Sequence, residues 1–248
     1  MSKNKYLLIL ALAASLCAPR SYAAEQWKAP HSNYYTTSQQ QQFPRFQAPP
    51  AAGSKEDIAD LDALHAWQEK RTDKQCAEAK AQAYAEYDDF YGDMGLFPRP
   101  LPAPALAVFK RIKTETDSIV SKLKDRFQKP RPFARDSSLS PCAGRIGGLA
   151  YPSGHAAIAR IYALVLSDMI PERRAEIMAR ADEAALYRVI GGVHYPSDIE
   201  AGKRLADAVY PLYLKSAAFR KDIDVLRGCL LHKGAPALQT PSGRSSAN

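Results

Sequence analysis

Three short segments decide how this chain is organised: KDRFQKPRP at 124–132, YPSGH at 151–155 and YRVIGGVHYPSD at 187–198. They contain several cationic side chains, two histidines, a serine followed by glycine, and an aspartate four residues after the second histidine. Each segment falls at or beside a predicted helix end, and the N-terminus of a helix favours anions. Cations, hydrogen-bond donors and a candidate nucleophile therefore occur together in one part of the chain.

A long amphipathic helix is predicted to lead into the first segment. Apolar and small side chains recur every three or four residues over 105–127, which places Lys124 near the end of that helix. Prolines on both sides of Arg131 end the helix and hold the arginine on stiff, extended backbone. Such a backbone suits a guanidinium that must point in a fixed direction.

Helices are also predicted to begin at or near the second and third segments. Ser153 is a suitable N-cap for the apolar run that follows it, which leaves free amides and the positive end of a helix dipole beside His155. Another helix is predicted after Pro171, a Gly-Gly pair at 191–192 ends it, and Pro196 starts the next one.

The chain before the first segment follows helical patterns as well. Ser54 and Asp57 have the spacing of a capping box, and residues 76–92 are interpreted as one further helix. The proline-rich residues 97–104 cannot form a regular helix. Since no convincing run alternates apolar and polar residues, we predict an all-α, single-domain bundle of helices with the site at one end.

The N-terminus has the layout of a secretory signal peptide. The cationic MSKNKY precedes an apolar run and then small residues that end at Ala23. The apolar run is about a dozen residues, shorter than the roughly 20 that a membrane-spanning helix needs. We expect cleavage after Ala23, a periplasmic or secreted protein, and no stable membrane insertion. The further predicted boundaries are a Pro/Gln-rich linker or surface arm at 24–53, a helical domain at 54–232 and a flexible tail at 233–248.

Composition limits the class of partner. The chain has 248 residues, of which 46% are hydrophobic, enough to bury a sizeable core. Its formal net charge is +8, and loss of residues 1–23, with three cations and no acid, would leave +5. This mild excess suits anionic substrates. No basic stripe interleaved with aromatic residues is present, so nucleic acid is not an expected partner.

Cysteine usage is consistent with export. Removal of the signal peptide would leave Cys76, Cys142 and Cys229, which permit one disulfide and one free thiol in an oxidising compartment. The sequence does not select the pair. No C-x-x-C spacing is present, so a zinc site is not expected.

Each candidate residue alone has a simpler explanation. Lys124 would lie on a solvated helix face, Arg131 in an exposed loop, and Ser153 would only cap a helix. Their occurrence together, in three clusters beside helix ends, makes coincidence a poor account.

In chain order these residues resemble a known signature: Lys124, six residues, Arg131-Pro132; then Pro152-Ser153-Gly154-His155; then Arg188, five residues, His194, three residues and Asp198. The pattern is similar to that of the type 2 phosphatidic acid phosphatase superfamily, which also includes bacterial class A non-specific acid phosphatases and vanadium haloperoxidases. Within it, the chain most resembles the class A acid phosphatases. The resemblance covers residues 124–198 and implies a helical fold.

The resemblance also implies roles. His194 would attack phosphorus to give a phosphohistidine, Asp198 would orient its ring, and His155 would protonate the leaving alcohol and then activate water. The phosphate-binding residues would be Lys124, Arg131, Ser153, Gly154 and Arg188. The implied activity is that of an exported acid phosphatase acting on small phosphate monoesters, with no metal and no other cofactor. Many related proteins form oligomers, so a homo-oligomer is compatible with the resemblance.

Two other functions fit the same residues. A vanadium-dependent haloperoxidase would hold vanadate on His194, and halide oxidation with vanadate and peroxide would identify it. A non-catalytic, exported anion-binding protein would bind phosphate without forming a phosphohistidine. Tyr187 stands where the family usually has Ser, and we expect this departure to alter affinity or substrate shape before it abolishes the chemistry.

Overall fold

The computed structural model describes residues 32–231, so the predicted signal peptide and the predicted tail lie outside the described range. Within residues 32–231 there are nine α-helices and no strand, and the prediction of an all-α fold is confirmed. The helices are α1 (Lys55–Lys70), α2 (Asp73–Ala81), α3 (Tyr87–Tyr91), α4 (Ala103–Phe127), α5 (Pro132–Arg135), α6 (Gly154–Met169), α7 (Arg174–Ile190), α8 (Pro196–Lys215) and α9 (Ala217–Cys229). None of them combines the length and the apolar content that a bilayer crossing requires.

Helix α6 forms the centre of the bundle. It is apolar on nearly every side, and α4, α7 and α8 pack around it. Gly202 on α8 faces the start of α6, where a Cβ atom would lie only 2.4 Å from the carbonyl oxygen of Ser153. The absence of a side chain at position 202 therefore allows α8 to approach the N-terminus of α6 closely.

Helices α4 and α7 carry buried stripes that lead toward functional residues. On α4 the buried side chains include Ile112, Ile119 and Leu123, directly before Lys124. On α7 the buried residues include Arg188, which is 1% exposed and lies in the last turn. Packing of these apolar faces therefore carries a lysine and an arginine into the interior.

Residues 32–46 lie across α4 and are tied to it by a buried carboxylate. The backbone N–H groups of Tyr35 and Thr36 each donate to Glu115, at 2.8 Å. The side chain of Gln41 donates to the carbonyl of Ser32 at 2.6 Å and is fully buried. The described part of this Gln-rich stretch is thus packed by polar contacts, which an apolar periodicity does not reveal. The domain boundaries drawn from the sequence stay predictions.

The interpretation of residues 76–92 as one helix is wrong. Helix α2 ends at Ala81 and α3 begins at Tyr87, and Ala85 between them has a positive φ of 54°. The carbonyls of residues 82–83 turn toward the ring of His155, so tertiary hydrogen bonds replace the helical ones. Helix α9 was not assigned from the sequence either, although Ser216 caps its start.

Candidate active site

The three sequence segments meet where the ends of four helices converge. Lys124 lies in the last turn of α4 and Arg188 in the last turn of α7. Ser153 caps the start of α6, and Asp198 lies in the first turn of α8. Because a helix end holds each side chain, helix packing sets the geometry of the site.

His194 is buried between a carboxylate and a guanidinium. Its Nδ1 lies 3.2 Å from Asp198 Oδ2, and its Nε2 lies 2.7 Å from Arg131 Nη1. Since arginine can only donate, Nε2 carries the lone pair and Nδ1 carries the proton. Burial, followed by the charge of Arg131, lowers the pKa of His194 well below its usual value. The side chain is therefore a neutral imidazole whose unprotonated nitrogen faces a cation.

Asp198 is fully buried and links His194 to a second lysine. Its Oδ2 accepts from the backbone N–H of Tyr195 at 2.9 Å, and its Oδ1 accepts from Lys129 at 3.0 Å. Burial raises the pKa of Asp198, and the charge of Lys129 is the largest effect that opposes this rise. Lys129 therefore helps to keep Asp198 ionised.

Lys129 and its neighbours contact the site but are not among the residues predicted for it from the sequence. The Lys129 ammonium also lies 3.4 Å from Asp60 Oδ2 and donates to the Ser197 hydroxyl at 3.0 Å. Asp60 in turn accepts from the backbone N–H of Ser197 at 2.9 Å. Lys129 could have been identified as a candidate, because it lies inside the first segment, two residues before Arg131. Nothing in the sequence marks Asp60, because it comes from α1.

Arg131 is held in one orientation by backbone carbonyls. Its Nε donates to Gly148 at 3.3 Å, its Nη2 to Gly147 at 3.2 Å, and its Nη1 to Val193 at 3.0 Å. Burial lowers the pKa of Arg131 to about 10. The extended backbone predicted at this position is confirmed, with φ −63° and ψ 152°.

Arg188 has an unused donor. Its Nη1 donates to the carbonyl of Ala79 at 3.1 Å, but its buried Nε has no acceptor within residues 32–231. Burial lowers the pKa of Arg188 to about 10, and the charge of Arg131 adds to that effect. A buried donor without a partner costs about 1–3 kcal/mol.

Lys124 and the start of α6 add further donors. Lys124 donates to the carbonyl of Leu149, and burial followed by the charge of Arg131 lowers its pKa well below the usual value. The Ser153 hydroxyl accepts from the backbone N–H of Ala156 at 3.4 Å, which confirms the predicted N-cap. The amide of Gly154 begins the helix and has no intrahelical acceptor. This terminus can therefore receive an anion.

His155 follows directly and is held by one ring nitrogen. Its Nε2 lies 2.9 Å from the carbonyl of Gln82 and 3.1 Å from that of Ala83, so Nε2 carries a proton. Burial, followed by the charge of Arg188, lowers the pKa of His155 well below its usual value. His155 also contributes to the low pKa of His194, but less than burial and the charges of the lysine and the two arginines of the site do.

The predicted residues thus form one electropositive cluster. Lys124, which is partly buried, and the buried Arg131 and Arg188 all lower the pKa of His194. Within the described part of the chain, no group of three or more His, Cys, Asp or Glu side chains is placed to hold a metal ion. The arrangement surrounds the ring of His194 with cations, and its unprotonated nitrogen faces one of them, Arg131.

A disulfide connects two supports of this cluster. Cys76 pairs with Cys142, whereas Cys229 is free. Cys76 lies on α2, which supplies the Ala79 carbonyl to Arg188, and Cys142 lies in the loop that supplies glycine carbonyls to Arg131. The pairing that the sequence left open therefore fixes segments that orient both arginines.

Tyr187 lies beside Arg188 in the chain but among other charges. Burial raises its pKa, and the charged groups that act on it are Glu183, Glu78 and Arg180, none of which belongs to the site. Glu78 lies on α2 next to Ala79. The phenol can therefore influence Arg188 through the packing of α2 on α7.

Comparison with known proteins finds similarity in the part of the chain that contains the site. Residues 112–220 match the model of the PAP2 superfamily. The chain is 31% identical over 155 residues to an acid phosphatase of Zymomonas mobilis, an alignment that covers 60% of this chain and 57% of that protein. It is 39% identical over 77 residues to a non-specific acid phosphatase of Salmonella typhimurium, covering 31% of each. The chain thus spans somewhat over half the length of the first of these curated relatives and about a third of the length of the second.

One solved structure with a similar arrangement is a transmembrane PAP2 type phosphatidylglycerolphosphate phosphatase from Bacillus subtilis. It is 15% identical, has a TM-score of 0.47, and the superposition covers 65% of this chain and 86% of that one. The matched segment 112–220 contains all eight side chains and amides predicted for the site. Residues 112–220 thus match a PAP2 superfamily domain, and curated relatives of the chain are named acid phosphatases.

Proposed function

We propose that this protein is an exported acid phosphatase that hydrolyses phosphate monoesters through a phosphohistidine at His194. One observation carries the proposal: Nε2 of a neutral His194 faces the guanidinium of Arg131, while Nδ1 faces Asp198. A nucleophilic imidazole needs one unprotonated nitrogen and a partner for the other. The relatives named acid phosphatases support the same reaction class.

In the first step His194 Nε2 forms a bond to phosphorus as the bond to the ester oxygen breaks. Negative charge on the phosphoryl oxygens would be offset by Lys124, Arg131 and Arg188. The unpaired Nε of Arg188 would gain an acceptor. As His194 becomes positively charged, Asp198 stabilises it through Nδ1, and Lys129 keeps Asp198 ionised.

His155 would handle the proton at the leaving group. With Nε2 held by backbone carbonyls, Nδ1 is the ring nitrogen left for proton transfer. A bound phosphate dianion favours the protonated ring, and so does acidic pH. The ring then gives its proton to the leaving alcohol. In the second step it takes a proton from water as the water oxygen bonds to phosphorus and the P–N bond breaks.

The same side chains account for the proposed independence of metal ions. The electrostatic role that divalent cations have in many phosphoryl transfers is assigned here to one lysine and two arginines. Turnover of para-nitrophenyl phosphate in excess chelator tests this assignment. Activity that disappears in chelator and returns with a divalent cation would reject it.

The decisive experiment compares wild-type protein, His194→Ala and the control His65→Ala with a phosphorus-labelled substrate. His65 lies outside the cluster, where it pairs with Asp136 at 2.9 Å. Wild type and His65→Ala should retain covalent label after alkaline quenching and lose it in acid, as expected of a P–N bond. His194→Ala should carry no label and show no turnover. Equal labelling of all three proteins would refute the proposed nucleophile.

Export is the part of the proposal that depends on the N-terminal segment. The Cys76–Cys142 disulfide supports it, because such bonds persist mainly in oxidising compartments. Expression of the full chain in a bacterial host, followed by fractionation, should place the protein outside the cytoplasm with Ala24 as its first residue. A cytoplasmic protein that retains residues 1–23 would contradict the proposal.

A further inference from the structure

We propose that Asp117 selects substrates by the charge of the leaving alcohol, favouring cationic over anionic groups, an inference that rests on the proposed phosphatase function. Asp117 lies on α4 seven residues before Lys124, which is about two helical turns, so both side chains share one face of the helix. Asp117 Oδ1 lies 3.6 Å from where a Cβ atom on Gly154 would be. The carboxyl group therefore borders the start of α6.

This position is on the leaving-group side of the site. Gly154 directly precedes His155, the residue assigned to protonate the leaving alcohol. A phosphate monoester with phosphorus opposite His194 and its ester oxygen near His155 would direct its alcohol toward this border. Asp117 would then meet the organic part of the substrate, whereas the three cations meet the phosphate.

The carboxyl group is available to a ligand. It is partly buried, and within residues 32–231 it makes no hydrogen bond or ion pair. The nearby Lys113 is engaged with Glu86 at 3.1 Å. Burial raises the pKa of Asp117 to about 6, while Lys113 and Lys124 oppose that rise and Glu86 adds to it.

The groups packed against Asp117 from other helices do not change this assignment. The charge of Asp117 acts on the phenols of Tyr162 on α6 and Tyr213 on α8 and raises their pKa values. Burial is the larger cause, and both pKa values lie well above the usual value. Both phenols stay neutral over the working range. Neither phenol therefore contributes a change of charge between pH 4.5 and 7, whereas Asp117 does.

The consequence is a specificity that depends on pH. Above a pKa of about 6 the Asp117 carboxylate attracts an ammonium on the leaving alcohol and repels a carboxylate. Below that pKa the group is neutral and the preference is lost. Ionisation of each phosphate ester is the same whichever protein is assayed, so it cancels when the ratio for two substrates is compared between wild type and a variant at one pH.

The test uses three esters of similar size: phosphoethanolamine, ethyl phosphate and phosphoglycolate. Their leaving groups are cationic, neutral and anionic. We compare kcat/KM at pH 7 and pH 4.5 for wild type, Asp117→Asn and Asp117→Ser. The control Asp62→Asn removes the same charge from an exposed position on α1.

At pH 7 the ratio of kcat/KM for phosphoethanolamine to that for phosphoglycolate should fall about tenfold in both Asp117 variants. That is the order expected for unit charges several ångströms apart near a protein surface. The ratio should be unchanged in Asp62→Asn. At pH 4.5 all four proteins should give the same ratio.

Equal ratios in wild type and both Asp117 variants at pH 7 would overturn the proposal, as would a difference that persists at pH 4.5. Failure of the proposed function is distinguishable, because wild type would then hydrolyse none of the three esters at either pH.

Discussion

Replacement of Lys129 by methionine tests the buried charge network behind His194. Lys129 is 8% exposed, and its ammonium lies 3.0 Å from Asp198 and 3.4 Å from Asp60. Methionine fills similar volume but leaves two buried carboxylates without their cation. Removal of one partner from a buried ion pair costs about 3–5 kcal/mol. We therefore expect the free energy of unfolding to fall by about that amount.

The same change should alter catalysis through Asp198. Lys129 opposes the burial that raises the Asp198 pKa, so its removal raises that pKa further. Asp198 then becomes protonated at a higher pH and no longer stabilises a positively charged His194. The acid limb of the kcat profile should therefore move to higher pH in Lys129→Met.

The assay is urea unfolding together with kcat against pH, and Lys203→Met is the matched control. Lys203 also pairs with two acids, Asp182 at 3.2 Å and Glu200 at 2.6 Å, but both acids are largely exposed. Surface pairs of this kind contribute about 0–1 kcal/mol. A loss in Lys129→Met no larger than in Lys203→Met, with an unmoved acid limb, would refute the reasoning.

Three other predictions follow from the packing and charges. Gly202→Ala would place a Cβ 2.4 Å from the Ser153 carbonyl, so we expect lower thermal stability and lower kcat, whereas unchanged values would contradict the close approach. Asp57 has a pKa that its hydrogen bonds to Arg135 hold below the usual range. This stabilisation is present above the unfolded pKa of about 4 and is lost as pH falls through the folded value. In urea unfolding at pH 6, the free energy of unfolding of Asp57→Asn should be about 1.5–3 kcal/mol lower than that of wild type. This difference should close below pH 4; a difference that does not change with pH would argue against the prediction. Tyr187→Ser should change KM more than kcat, because the phenol acts on Arg188 through packing, and identical steady-state kinetics would show that expectation to be wrong.

Much of the local structure could be predicted from the sequence because helix periodicity and capping depend on near neighbours. The stripe on α4, the Ser153 cap and the helix that begins at Pro196 all arise within a few residues. The break at residues 82–86 could not be predicted, because the ring of His155, some 70 positions away in the chain, takes the carbonyls there.

The sequence by itself determined the helical class and the choice of candidate phosphate-binding residues, since both depend on residue types and their spacing along the chain. The tertiary structure alone decided the Cys76–Cys142 pairing, the contact of Lys129 with Asp198, and the place of Asp117 beside Gly154. These three relations join residues that only the packing of helices brings together. Coulombic and hydrogen-bond energies depend on distance in space, which sequence spacing does not give.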